Sequence, residues 1–573
     1  MRGLLLSTLV GLFLSRVFLA QVAHPGAPVA HPVAHFEDVS KKAGLVASHL
    51  SSPEKRYIVE SMSGGVGFMD CDNDGKLDII MVNGSSVDRY KAGGDPLITL
   101  YHQDGDLHFT DITKSAGLMR RGWGMAVSVM DYDNDGLQDI FVTGFGGNAL
   151  YHNLGNCKFE DVTDKSGLNL PGFNAGAAWA DYDRDGLLDV FIPHYVHIDI
   201  DHLPEFGSND KFCRYRGVMV QCGPGGLPGE PDYLFRNRGD GTFEDVSKKA
   251  GVDDPQHLYG LQAVWADYDN DGWPDLYVPN DGQPNYLYHN KHDGTFEEVG
   301  LMSGAALSLD GKAEGSMGVG FADMDHDGLL DIFVTNFVDE PDALYWNQGD
   351  KGFTDIVWSA GMGADTVPMV GWGTGFVDFT NSGWDDIFLV NGHVYPQMDL
   401  VKGGAGYKQP VMLYRNNHNR TFENITSLSG LDKLPKASRR GAAFGDVNND
   451  GKVDILMLNV GEPPTLLINR TDTDNHAALF KLVGTKSNKA GVGARVTVTC
   501  GDLVQFNEVR SGTSYFSQND LRLHFGLAQN AVMNKVEVWW PSGQKDVYQN
   551  LPADMIYTMV EGGTISQKVP FSK

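Results

Sequence analysis

Apolar and polar positions alternate along this chain in short runs interrupted by glycine and aspartate, a pattern of many β-strands rather than of helices. One unit recurs. A strand rich in small residues leads into the nine-residue pattern D-x-D-x-D-G-x-x-D, and an apolar strand such as Asp139-Ile-Phe-Val-Thr143 or Asp331-Ile-Phe-Val-Thr335 follows. A third strand reads Leu-Tyr-x-Asn and ends at Asn153, Asn290, Asn347 or Asn416; a fourth opens on Phe, as in Phe159-Glu-Asp-Val-Thr163 and Phe243-Glu-Asp-Val-Ser247. Two positions before the first Asp stands a large apolar residue: Phe68, Val129, Trp179, Trp265, Phe321, Phe376 or Phe444. Five positions before it the residue is mostly small: Gly65, Ala126, Gly176, Gln262, Gly318, Gly373 or Gly441. Innermost strands crowding a central axis have that requirement, with the large residue filling the space between neighbouring sheets.

Seven copies spaced 50 to 86 residues apart, with four strands in each unit, predict an all-β fold: a seven-bladed β-propeller with Ca-binding inter-strand loops over residues 36–470. Phe36-Glu-Asp-Val-Ser40 reads as a lone fourth strand, while the last repeat stops after its third strand near Leu466-Leu-Ile-Asn469. The N-terminal strand is therefore expected to complete the last blade and close the ring, removing exposed edges. Two long insertions interrupt the pattern, at about 194–232 and 391–411, and loops on a rigid scaffold are where binding surfaces are built. Residues 471–562, with alternating runs such as Ala494-Arg-Val-Thr-Val-Thr499, read as a separate small antiparallel β domain, and 563–573 as a tail.

The aspartates carry the candidate chemistry. The intact copies are Asp70, Asp72, Asp74, Asp78; Asp131, Asp133, Asp135, Asp139; Asp181, Asp183, Asp185, Asp189; Asp267, Asp269, Asp271, Asp275; and Asp323, Asp325, Asp327, Asp331. The last copy reads Asp446, Asn448, Asp450, Asp454, and the sixth, with Asp378, Thr380, Ser382 and Asp386, should be the weakest site or empty. Carboxylates at positions 1, 3 and 5 of a tight turn converge on one point, glycine at position 6 permits the turn, and position 9 closes the site from the next strand. Such a set of hard oxygens suits Ca2+, which takes about six to eight, better than Mg2+. About six or seven calcium ions are expected. These positions hold 25 of the 74 acidic side chains, and the net charge of −29 excludes nucleic acid as a partner.

Arg2, the apolar run Leu4 to Leu14 and Phe18-Leu-Ala20 have the layout of a signal peptide over residues 1–20, with cleavage after Ala20 or Ala23. A Pro/Ala-rich flexible linker over 21–35 follows, and no other segment reads as a membrane span. The expected location is secreted, periplasmic or extracellular, and the expected state is a monomer. Export permits disulfides, and Cys213 and Cys222 are close enough in sequence to form one; Cys71, Cys157 and Cys500 are expected to be small buried hydrophobes.

Together the Asp-rich units resemble the FG-GAP/VCBS repeat family, whose propellers include the head of integrin α subunits, where such loops bind calcium. Lys481 to Arg495, Glu508-Val-Arg-Ser-Gly-Thr-Ser-Tyr515, Ser517-Gln518, Leu521 to Leu527 and Val538-Trp-Trp-Pro-Ser-Gly543 resemble the ASPIC/UnbV domain. The resemblance implies a secreted calcium-binding protein and no particular reaction. The favoured function is an extracellular recognition, adhesion or matrix-type module for a protein or glycan ligand, with calcium mainly structural. The alternative is an extracellular enzyme acting on carbohydrate or another polymer at the propeller mouth. Its candidate residues are sparse: His393 with Tyr395 as a general base, Arg510 with Ser511 and His524 as a polar site, and Trp539-Trp540 as a sugar-stacking surface.

Overall fold

Each Asp-rich copy turns between the first and second strands of an antiparallel sheet. The computed structural model describes residues 32–205 and 212–572, and it contains seven such sheets, one for each copy. Blade 1 is built from Val66–Met69, Asp78–Val82, Ile98–Gly105 and His108–Asp111. Blades 2 to 7 begin with Arg121–Met130, Ala178–Ala180, Val264–Ala266, Val319–Ala322, Gly371–Val377 and Arg439–Gly445. The fourth strand of blade 7 is Phe36–Asp38, with Phe36 opposite Asn469, so the two ends of the repeat array meet in one sheet. Ala34 is fully buried and the backbone N–H of Arg470 donates to the His35 carbonyl, so the last residues of the expected linker belong to the fold. The expected signal peptide, and the linker up to His31, lie outside the described residues. Among the described residues no helix is long and apolar enough to cross a membrane.

Two sets of side-chain amides join each blade to the next. The first comes from the end of every third strand, where Gln103, Asn153, Asn237, Asn290, Asn347, Asn416 and Asn469 stand. Each donates to the carbonyl at loop position 2 of the preceding blade: Val447, Cys71, Tyr132, Tyr182, Tyr268, Met324 and Phe379, at 2.8–3.2 Å. Because Gln103 of blade 1 reaches Val447 of blade 7, this set runs all the way round. The second set starts at loop position 4, where φ lies between 56° and 64° in every copy. That left-handed conformation costs asparagine less than most residues, and five of the seven copies use it. Asn73, Asn134, Asn270, Asn381 and Asn449 each donate to the position-6 glycine carbonyl of the following loop, with Asn449 returning to Gly75. The other two copies substitute stacking: Arg184 lies over the Trp273 ring at 4.7 Å, and His326 stacks on Trp384 at 3.9 Å.

Crowding around the axis explains the small residues five positions before each motif. A Cβ on Gly318 would stand 2.0 Å from the Trp372 carbonyl oxygen of the next blade, and one on Gly65 would stand 1.9 Å from the Phe516 carbonyl oxygen. The second clash is with the C-terminal domain, which therefore enters the channel.

That domain packs two four-stranded sheets. One comprises Leu523–Ala528, His476–Val483, Met555–Val560 and Thr564–Pro570; the other comprises Leu503–Glu508, Arg495–Cys500, Val532–Trp539 and Lys545–Pro552. Two expectations change. The domain is not purely antiparallel, because His476–Val483 and Met555–Val560 run parallel, and the expected tail supplies the edge strand Thr564–Pro570. Apolar side chains of both sheets form one continuous cluster with Phe141, Trp179 and Val190 of blades 2 and 3, so the domain shares a core with the propeller.

The cysteine assignment also needs correction. Cys213 and Cys222 pair as expected, but Cys71 and Cys157 form a second disulfide across 86 residues, and of the three supposed hydrophobes only Cys500 is a buried free thiol. The reason is the ring of amides: Asn153 holds the Cys71 carbonyl at 3.0 Å, which brings the turn after the third strand of blade 2 against position 2 of loop 1.

Replacing Asn347 by Ala removes its bonds to Tyr268 and Leu330 and strands two buried carbonyls. Each should cost about 1–3 kcal/mol, so equilibrium denaturation should show a loss of roughly 2–6 kcal/mol; Asn347→Asp, which lacks the donors, should not recover it.

Candidate metal centres and a filled channel

Hydrogen bonds inside each Asp-rich loop orient its carboxylates. The position-1 aspartate accepts the backbone N–H of the position-6 glycine in all seven copies, at 2.6–3.1 Å. The position-9 aspartate accepts the backbone N–H of the third-strand amide residue, again in all seven, at 2.7–3.0 Å. One oxygen of each is thereby fixed, and in blades 1, 2, 5 and 7 the second oxygen of the position-9 aspartate also accepts the backbone N–H of loop position 2.

What the remaining loop atoms meet divides the copies. Every intact copy contains a buried polar atom with no hydrogen-bond partner: Asp70 Oδ1; His152 Nδ1 beside Asp133 and Asp139; the Oδ1 atoms of Asp181 and Asp183 with Asp189 Oδ2; Asp267 Oδ1 and Asp275 Oδ2; and Asp325 Oδ1. In the two altered copies no carboxylate oxygen of the motif is left so, the one orphaned atom being the amide Oδ1 of Asn381 at position 4 of the sixth loop. In the sixth, Ser382 donates its backbone N–H and its hydroxyl to Asp378, at 2.9 and 3.2 Å, doing within the chain what a cation would otherwise do. In the seventh, Asn448 donates to Asp450 at 3.1 Å. Buried oxygens without a donor are costly, and the intact loops fit a cation at the point where these oxygens converge. Electrostatics agree: burial pushes Asp131, Asp181 and Asp323 up to about 7, and the neighbouring loop carboxylates push the same way.

The first and second strands join at one end of each blade and the second and third at the other, so the loops and the two long insertions lie on opposite faces. The C-terminal domain occupies the loop face. Two of its arginines grip two loops in the same way: Arg495 donates to the Asp267 carbonyl at 3.0 Å and to Asn270 Oδ1, while Arg522 donates to the Asp446 carbonyl at 2.9 Å and to Asn449 Oδ1 at 2.6 Å. Lys481 reaches Asn73 at 3.3 Å, and the Lys489 backbone N–H donates to Asn134 at 2.6 Å. Four of the position-4 asparagines therefore join the next loop through their amide nitrogen and the C-terminal domain through their amide oxygen.

From this domain residues 511–520 run into the channel. The Val127 and Phe68 N–H groups donate to the Phe516 and Gln518 carbonyls, Val319 and Ser514 exchange backbone bonds, and Trp179 N–H donates to Ser511 O, all at 2.9–3.1 Å. Tyr515 is fully buried, stacks on Phe516 at 3.9 Å, meets Trp372 edge-on and donates its hydroxyl to the Met62 carbonyl. The segment thus pairs with inner strands of blades 1, 2, 3 and 5, and it fills the channel with protein.

The enzyme candidates do not assemble. Arg510 pairs with Glu508 at 3.1 Å, Ser511 donates to the Val129 carbonyl, and His524 is hydrogen-bonded to the Gly451 carbonyl, with burial lowering it to about 4. Trp540 is buried with its indole N–H on Asp546, and half-buried Trp539 lies against Gly272 of loop 4 with Lys545 Nζ 4.0 Å over its ring. On the opposite face, His393 is buried among Tyr215, Phe337 and Tyr395. Its Nδ1 accepts the Tyr395 backbone N–H at 3.1 Å, and burial, with Arg440 and Arg216 nearby, lowers it to about 3. With Nδ1 accepting, the neutral ring that burial favours carries its proton on Nε2, a buried atom without a hydrogen-bond partner among the described residues. Above it, the disulfide-bonded hairpin of Cys213–Tyr215 and Val218–Val220 spans the mouth: Gln221 donates to Ser61 of the segment leading into blade 1, and Tyr215 and Arg216 bind Asp339 of blade 5. Sequence signals for the hairpin were its cysteines and glycines; the channel segment carried none beyond its resemblance to a known domain.

Comparison with known proteins follows the same division. The FG-GAP-like repeat family matches residues 70–142, 131–192, 220–278, 267–334 and 378–457, and the ASPIC and UnbV family matches 484–566. Cartilage acidic protein 1 of Homo sapiens is 25% identical over 343 residues, covering 58% of this chain and 48% of the relative; the Mus musculus protein is 24% identical, covering 58% and 49%. The chain thus spans about half the length of the curated relatives it matches. Among solved structures, an Agrocybe aegerita lectin that recognises non-reducing terminal N-acetylglucosamine has a TM-score of 0.38 at 16% identity, covering 72% of this chain and 90% of the lectin. YCF48 bound to D1 peptide has a TM-score of 0.38 at 10% identity, covering 74% and 97%. With the repeat family matching more than half of its residues, the chain belongs to the FG-GAP-like repeat proteins and carries an ASPIC/UnbV domain.

Proposed function

We propose that this protein is an extracellular binding module, in which calcium braces the loop face of a propeller and the opposite face receives a protein or glycan ligand. The observation that carries the reading is the channel: residues 511–520 enter it from the loop side and leave beside blades 4 to 7 a cavity of about 130 Å3, small for a polymer, while the two insertions meet at the other mouth. The relatives' name, cartilage acidic protein, supports an extracellular setting, and this chain shares the acidity with a net charge of −29. In the intact loops calcium would be held by positions 1, 3, 5 and 9 and the position-7 carbonyl, as by Asp323, Asp325, Asp327, Asp331 and the carbonyl of Leu329. It satisfies the orphaned oxygens and removes repulsion between carboxylates; no bond is made or broken there.

Because a cation bound only by the folded state stabilises it by roughly 2.7 kcal/mol for each site at a hundredfold excess over Kd, chelation should lower the thermal midpoint by at least about 5 °C. Asp327→Asn should reduce that chelator-induced shift, and Ser382→Ala, in the loop that satisfies itself, should leave it unchanged; scanning calorimetry reads both. On an array of glycans and matrix proteins the full chain should be retained without turnover. Cys213→Ser with Cys222→Ser should lose retention while the calcium-dependent melt persists, and turnover of any arrayed polymer would overturn the binding reading.

A further inference from the structure

Three largely buried arginines of the C-terminal domain each hold a carboxylate: Arg495 and Arg510 share Glu508, at 2.7 and 3.1 Å, and Arg522 holds Asp520 at 2.8 Å. Arg440 does not. It stands at the insertion-face end of the first strand of blade 7 and is 0% exposed, yet all its partners are neutral. Nε donates to the Ser61 carbonyl at 2.7 Å, and Nη1 to the Arg439 carbonyl at 2.7 Å, the Ser438 hydroxyl at 3.1 Å and the Gly392 carbonyl at 3.4 Å. The guanidinium lies 4.0 Å over the Trp372 ring, and Nη2 has no partner among the described residues. Burial lowers Arg440 to about 10. Lys55, which burial and then Arg440 lower to about 7, adds charge of the same sign, and Glu60 beside it accepts the backbone N–H groups of Arg56 and Val87 with its two oxygens.

Two more unpartnered atoms belong to residues that share a neighbour with Arg440. The Ser438 hydroxyl that accepts from Nη1 donates in turn to the His393 carbonyl at 3.1 Å, and His393, 3% exposed, has no acceptor for Nε2. Ser61 makes the second link: its hydroxyl accepts from Gln221 Nε2 at 2.9 Å, while its carbonyl accepts from Arg440. Gln221, beside Cys222 of the disulfide-bonded hairpin, is 3% exposed, and its Oε1 has no donor. Aromatic rings surround the group, with Tyr215 and Tyr395 centred 6.0 and 5.2 Å from His393 and Tyr515 packed edge-on against Trp372 at 4.8 Å.

Two donors, one of them charged, and one acceptor are thus held under the hairpin without partners, where an unanswered group is most costly. A carboxylate neutralises the guanidinium and accepts from both donors, and a hydroxyl carried on the same small molecule donates to the acceptor. We propose that the insertion-face mouth holds a binding site for a compact hydroxylated carboxylate, with Arg440 and His393 as donors to the carboxylate and Gln221 as acceptor from the hydroxyl. Bicarbonate, a free hydroxy acid and the uronic acid end of a glycan share that chemistry. The site lies on the face opposite the Asp-rich loops, so it stands whether or not calcium occupies them and whether or not the protein binds a macromolecule.

Titration calorimetry of the full chain with glycolate should show one saturable site, and acetate, which lacks the hydroxyl, should bind roughly tenfold more weakly. Gln221→Met should remove that preference by bringing glycolate down to acetate, and His393→Phe should weaken both acids by a similar factor. Both variants keep Arg440, and circular dichroism checks their fold, so they read the site even where Arg440→Met does not fold. A crystal structure in glycolate should show the carboxylate against Arg440 Nη2 and His393 Nε2. Two further probes identify the source: glucuronate binding as tightly as glycolate assigns the site to an acidic glycan end, and its exclusion while glycolate or bicarbonate binds assigns it to a free ion. No saturable binding of any of these acids, equal affinity of the unaltered chain for acetate and glycolate, affinities indifferent to His393→Phe, or water alone at the three atoms would overturn the proposal.

Discussion

The structure depends on a side-chain amide placed where two blades meet. An Asn or Gln at the end of each third strand ties its own loop to the loop before it, and an Asn at loop position 4 ties the loop to the one after. Neither bond belongs to a sheet ladder. Sheets of a propeller touch mainly through side-chain packing, which is weakly directional, with a few backbone bonds near the axis such as Ala263 N–H to the Gly176 carbonyl at 2.9 Å, whereas a buried amide bonded to two carbonyls fixes distance and angle together. Seven such joints in series set the rotation between blades, and the ring closes because the seventh joint finds the first.

The same loops concentrate 25 of the 74 acidic side chains. Placing several carboxylates inside one turn is unfavourable unless a cation or donor answers them, and this chain uses more than one answer. Arg236 supplies an internal cation, Ser382 supplies a hydroxyl, and loops 1, 3, 4 and 5 keep carboxylate oxygens without a donor. The C-terminal domain adds Lys481, Arg495 and Arg522 on the same face, so it acts as a basic counterpart to an acidic rim as well as a core partner. Blade joining and domain docking therefore work on one set of residues, the position-4 asparagines Asn73, Asn134, Asn270 and Asn449.

Much of this was legible in sequence. The aspartate register located every first-to-second turn, and the lone Phe36-Glu-Asp-Val-Ser40 segment foretold how the ring closes, because the periodicity is local and each copy repeats the test. The channel segment was not legible. Ser511 to Asp520 reads as a polar turn, and its partners, Phe68, Val127, Trp179 and Val319, lie about two hundred to four hundred and fifty residues away, beyond any spacing rule. The Cys71–Cys157 bond escaped for the same reason, since its proximity comes from a neighbouring blade.

One detail bears on how such a chain is made. Phe36 pairs with Asn469, and Gln518 pairs with Gly67, so the strand Phe36–Asp38 has no sheet to join until the last blade has been made. Contacts of that sequence separation form slowly, because the entropy of closing the long loop must be met before any of them returns stabilisation. Until then the acidic turns keep the growing array hydrated and mutually repelled. The high charge that a finished propeller must neutralise serves the unfinished one as protection against sticking to its own kind.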